Sequence, residues 1–137
     1  RIGSLVDTKF EQFGPHRRML VALFRIAGDP ASVVSPFGEP TRDIREAAID
    51  LFRQALEGSS TKIPKDLAPY LPKLLWLYQM GLILFWIYDC SEGQRRTHLL
   101  KDASLEVVVK LIRIARFPLL GPVRSSVVEL LEALDRP

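Results

Sequence analysis

Between Leu74 and Tyr88 the chain reads LLWLYQMGLILFWIY, fifteen residues without a formal charge. Gln79 is its only amide and Gly81 its only glycine. At helical spacing, Leu74, Tyr78, Gly81, Phe85 and Tyr88 form one stripe, Leu75, Gln79, Leu82 and Trp86 a second, and Trp76, Met80, Ile83 and Ile87 a third. A helix apolar on every side has to be enclosed by other elements, by lipid, or by protein together with a bound apolar molecule. The run falls short of the roughly 20 residues that a bilayer requires, and Lys73 and Asp89 flank it in place of interfacial anchors. It is read as the central helix of an all-α domain, with no membrane as partner.

The 137 residues suffice for one domain, 1–137, and for a core that needs no staples. Basic and acidic side chains are balanced along the chain, ten and nine over residues 1–66, nine and seven over 67–137. Neither half is a basic arm, so direct binding of nucleic acid by this chain is disfavoured. A single cysteine, Cys90, excludes an internal disulfide and suits a reducing cytoplasm. The opening RIGSL has no initiator methionine and no signal-peptide pattern, which suggests a piece of something longer.

Glycine and proline punctuate about six helices. The first runs from Ile2 to Phe13 and stops at Gly14-Pro15. The second reaches Ala27 with Met19, Leu20, Leu23, Phe24, Ile26 and Ala27 inward and Arg17, Arg18 and Arg25 outward. Residues 28–40, GDPASVVSPFGEP, form a loop or lid carrying Phe37 as an apolar plug. Thr41 caps the third helix, whose inner side is Ile44, Ala47, Ala48, Leu51, Phe52 and Ala55. Asp66 caps the central helix, and Ser91 with Gln94 has the form of a capping box for the fifth. The fifth and sixth helices, to about Phe117 and Leu134, carry more apolar residues than one face needs. A second buried surface is therefore expected, most economically a homodimer interface through Leu105, Val108, Val109, Ile112, Val123, Val127 and Leu131. No strand-like alternation and no repeat of 20 to 50 residues is visible.

The segments LPKLLWLYQMGLILFWIYDCSEGQRRTHLL and VVVKLIRIARFPLLGPVRSSVVELLEAL, with SPFGEPTRDIREAAIDLFRQALEG and the break at GPHRRML, resemble the C-terminal effector-binding and dimerisation domain of tetracycline-repressor-type (TetR) transcriptional regulators. The turn Asp89-Cys90-Ser91-Glu92-Gly93-Gln94 is similar to the family's DRSPGQ-like turn, with Cys90 where arginine and Glu92 where proline are common. The resemblance implies an antiparallel helical bundle that dimerises through its last two helices. It also implies an N-terminal helix-turn-helix that reads operator DNA, which this chain lacks, and makes residues 1–13 the end of the linking helix.

Ligand pockets are mostly apolar with a few orienting polar groups. Trp76, Tyr78, Gln79, Met80 and Tyr88, with Phe24 and Phe52 from neighbouring helices, fit the wall of a cavity for a small apolar effector and fit plain core equally well. An amide buried at Gln79 needs a ligand, a water or a neighbour such as His16. Gly81 makes room for a ligand or for a crossing helix. His16 and His98 lack metal-ligand spacing, and no nucleophile elbow or phosphate loop occurs, so neither metal, cofactor nor catalytic residue is expected. Beside an effector sensor, the other reading is a stand-alone helical module that binds a small hydrophobic molecule or a protein.

Overall fold

A computed structural model describes residues 1–135 of the chain. They form six α-helices, α1 (Ile2–Phe13), α2 (Arg17–Ala27), α3 (Arg42–Glu57), α4 (Leu71–Tyr88), α5 (Arg95–Ile114) and α6 (Gly121–Asp135), with no strand among them. Short 3-10 turns precede α2, α3, α5 and α6, and proline opens three of these turns or sits at their second residue, where a missing N–H costs nothing.

The core is built on α4. Val6 from α1, Ile49, Phe52 and Leu56 from α3, and Ile112 from α5 close on Leu71, Leu75, Trp76 and Leu82. Further along, Ile83, Trp86 and Ile87 meet Phe10 and Phe13 of α1 and Leu20, Val21 and Phe24 of α2. Phe10 stands edge-on to Trp86 with ring centroids 5.8 Å apart, a favoured aromatic geometry. Enclosure of α4 on every side is not what the structure shows. Leu77, Gly81, Leu84 and Tyr88 follow one another at helical spacing on a face that the other described residues leave open. By length and composition α4 could cross a membrane, but half of it is buried inside the protein. A Cβ added at Gly81 meets nothing within 4 Å, so no crossing helix among the described residues explains that glycine.

Several inner faces differ from the expected ones, for one reason. In α2 and α3 apolar residues cover more than one stripe, and the partner decides which stripe is buried. On α3 the buried residues are Ile49, Phe52 and Leu56, while Ile44 and Leu51 are exposed. On α2, Leu20, Val21 and Phe24 pack inward, while Met19 and Ile26 are each 61% exposed.

Arg17, expected outside, is half-buried. Its Nη2 donates to the carbonyls of Trp86, Ile87 and Asp89 at 3.1, 3.2 and 2.7 Å, and the guanidinium lies 5.6 Å from the Trp86 ring centroid. The last carbonyls of a helix lack intrahelical donors and carry partial negative charge, so a cation there both hydrogen-bonds them and meets a favourable field. Arg17 thus ties the start of α2 to the end of α4.

The expected caps are also redistributed. Thr41 precedes α3, but its hydroxyl turns back to donate to Ser35 O (2.5 Å) and Gly38 O (3.2 Å). Asp66 stands five residues before α4, where Oδ1 accepts from its neighbour Leu67 N and Oδ2 accepts from Arg124 Nε of α6 at 2.7 Å. The turn after α4 is organised by Asp89; of the expected box, Ser91 Oγ accepts from Arg96 N in the first turn of α5 at 3.1 Å, while Gln94 takes a left-handed backbone in place of a reciprocal cap. Asp89 Oδ1 accepts from Ser91 N and Oγ at 2.9 and 2.7 Å, and Oδ2 from Thr97 N and Oγ1 at 2.8 and 2.7 Å. Gly93 and Gln94 both take positive φ, 60° and 51°, to make this turn, a conformation that favours glycine and costs Gln94 some strain.

Burial alone would raise the Asp89 pKa, but the hydrogen bonds from Ser91 and Thr97 stabilise the carboxylate more, and the pKa falls well below its ordinary 3.8. A depressed native pKa means stability that is present above the unfolded value and is lost as pH falls through the native one. Wild-type stability is therefore expected to decline below about pH 4, and Asp89→Asn to be less stable at pH 7 while losing less of its stability on acidification. Thermal melts of both proteins at neutral and acid pH check this; parallel losses would contradict it.

Candidate functional site

Where α2, α3 and α4 meet under the loop 28–40 there is an open cavity of about 370 Å³. Each wall follows from the local fold. Leu23, Phe24 and Ala27 come from the last two turns of α2, Ile44, Arg45 and Ala48 from the first two of α3, and Trp76 and Met80 from the middle of α4. Phe13, the last residue of α1, also lines it, and Val34, Pro36 and Thr41 contribute the loop side. Ten of these twelve residues are apolar, so water gains little there and an apolar guest gains by leaving solvent.

The loop is held in place by two devices. Arg45 Nη1 donates to the carbonyls of Pro36 and Gly38, each at 3.0 Å, and Thr41 bonds Ser35 and Gly38 as described above. Phe37, the expected plug, is exposed, yet its ring stands edge-on to Trp76 with centroids 5.5 Å apart. It caps the Trp76 wall from outside instead of filling the cavity.

Of the side chains expected to line an effector site, the structure brings Phe24, Trp76 and Met80 together on this cavity. The other four are elsewhere. Phe52 is 1% exposed in the core. Tyr78 faces α5, where its hydroxyl is 2.7 Å from Ser104 Oγ, and its pKa is raised because burial outweighs that bond. Gln79 is 4% exposed on the stripe of Leu75, Leu82 and Trp86 and makes no side-chain hydrogen bond among the described residues; exposed His16 does not supply one. Tyr88 is 76% exposed at the end of α4. The sequence reading missed Arg45, Ile44 and the loop residues. The stripe Thr41, Arg45, Ala48 directly after a proline-rich lid carried the signal that could have found them.

A smaller cavity of about 210 Å³ lies between the start of α1, the end of α3 and α5, with Arg1, Ser59, Thr61 and Arg113 among its lining residues. Its small size, and two arginines among its lining residues, suit it less to an apolar guest. Among the described residues, no group of three or more His, Cys, Asp or Glu is placed to hold a metal ion.

The residues expected at a dimer contact divide into two sets. Ile112 is buried in the chain's own core, Val108 packs against that core, and Leu105, Val109 and Leu131 are half-buried. Val123 and Val127 are exposed. The outward apolar stripes are instead Val107, Leu111 and Ile114 on α5 and Val123, Val127, Leu130 and Leu134 on α6. Each stripe repeats at steps of three and four, the spacing of a helix face made to meet another helix.

A family profile described as "Tetracyclin repressor-like, C-terminal domain" matches residues 1–133. No curated protein matches the chain.

Proposed function

Since this chain belongs to the tetracycline-repressor-like family through its C-terminal domain, the ligand-binding and dimerisation part of a transcriptional regulator, we propose that an apolar or aromatic small molecule is its effector and occupies the cavity under the loop 28–40. The observation that carries this reading is the position of Phe13. It ends α1, the segment that resembles the end of a linking helix, and it also lines the cavity. A guest seated against Phe24, Trp76 and Met80 thereby touches the helix through which a DNA-reading head would be moved. A ligand shifts such an equilibrium only by its difference in affinity for two arrangements, and contact with Phe13 gives it that difference. Operator DNA is then engaged through an N-terminal helix-turn-helix, and the effector changes that engagement.

The test is to fill the cavity. Ala48 lies on its α3 wall, and Ala48→Phe replaces guest volume with a ring. In a thermal-shift screen of apolar and aromatic compounds, a ligand at 100 times its Kd stabilises the wild type by about 2.7 kcal/mol, a shift of several degrees. The same compound is expected to leave the midpoint of folded Ala48→Phe unmoved. An undiminished shift in the variant would place the binding site elsewhere.

A further inference from the structure

Arg45 is the one charged side chain among the twelve residues that line the cavity, and it is half-buried. Its tie to the loop uses only Nη1, which donates to Pro36 O and Gly38 O. Among the described residues, Nε and Nη2 make no hydrogen bond and no carboxylate pairs with the guanidinium. The only other polar side chain on the wall, Thr41, has its hydroxyl proton committed to Ser35 O and Gly38 O.

A guanidinium stays charged at any pH a protein survives, and the Nε and Nη2 groups of Arg45, which have no protein acceptor among the described residues, remain open to a ligand's oxygens. The Nε–H and one Nη2–H are parallel and spaced to meet the two oxygens of a carboxylate, the strongest and most directional pairing an arginine makes. Building on the effector-site reading above, we propose that the ligand is an amphipathic carboxylic acid. Its apolar chain or ring lies against Phe24, Trp76 and Met80, and its carboxylate takes the Nε and Nη2 edge of Arg45. Because Nη1 keeps its two loop carbonyls, the bound acid adds to the link between α3 and the loop without displacing it. The acid's negative charge also offsets the single positive charge in an otherwise neutral wall, which a cationic amphiphile would leave unmatched and repel.

Calorimetric titration of the full chain with octanoate and with 4-phenylbutyrate, each against its own primary amide, tests this, with octylammonium as the charge-reversed probe. Acid and amide share shape and apolar area, so their ratio reports the charge-assisted pairing alone. The acids are expected to bind about tenfold or more tightly than the amides, and octylammonium more weakly than either. In Arg45→Gln the acid-to-amide ratio is expected to fall to about one with amide affinity retained, and in Arg45→Lys, which keeps charge but not the fork, to an intermediate value. Equal affinity of acid and amide in the wild type overturns the carboxylate assignment and leaves the effector cavity standing. Binding of none of the probes overturns both. The wild-type comparison depends on no variant, so a loop disturbed by Arg45→Gln does not blunt the test.

Discussion

Phe52→Ala is expected to lower the unfolding free energy by about 3–5 kcal/mol, the loss typical of removing a buried aromatic ring from a packed core. Phe52 is 1% exposed and belongs to the cluster in which α1, α3, α4 and α5 meet, so no neighbour can collapse into the gap without moving a helix. Were Phe52 part of the effector wall, truncation would chiefly weaken binding, and an apolar ligand could occupy the space. The placement predicts the reverse: a large drop in stability by chemical denaturation, with ligand affinity of the remaining folded protein close to wild type. A drop under about 1 kcal/mol would show that the core is packed differently.

The second large effect concerns the outward stripes of α5 and α6. Leu111 and Leu130 are 55% and 60% exposed, so charge placed on them costs the isolated chain little. In a symmetric dimer built on these faces the same substitutions bury unpaired charges twice over, once in each copy. Sedimentation of the wild type at tens of micromolar is expected to show about twice the 15.5 kDa of one chain. The double variant Leu111→Glu, Leu130→Glu is expected to sediment as a single folded chain. Ile112→Ala provides the contrast, because Ile112 faces the chain's own core. It should lose stability and keep the dimer. A double variant that stays dimeric would place the interface on another face, and the open stripe Leu77, Gly81, Leu84 and Tyr88 of α4 would be the first to examine.

Element boundaries were largely legible because the chain marks them chemically. Gly14-Pro15 ends α1 at Phe13, and Gly58 closes α3 after Glu57, as read from the sequence. Which face of each helix turns inward was less legible. Ile44, Leu51 and Phe52 all look like core residues on α3, and only the position of α4 decides that Phe52 is buried while the other two are not. On α4 the difficulty is greater, since a helix apolar all round has no preferred side in its own sequence. Tyr78 and Gln79 stand out as polar groups in an apolar run, yet one faces α5 and the other the core. Charge misled in the other direction. Arg17 looked solvent-exposed, and its partners are carbonyls of residues about seventy positions away. Arg45, among ordinary charges on α3, acquires meaning only when the loop 28–40 folds over it.

The two methionines allow the cavity itself to be tested in one measurement. Met80 lines it, and Met19 lies exposed on α2 outside it. With ¹³C-methyl methionine labelling the chain gives two methyl signals, and titration with 4-phenylbutyrate or its amide should move the Met80 signal saturably while Met19 stays still. Assignment by Met80→Leu, a change tolerated in cores, identifies which signal is which. A saturable shift confined to Met80 is the predicted result. Binding that leaves Met80 unmoved, or that moves Met19 in its place, would contradict the account.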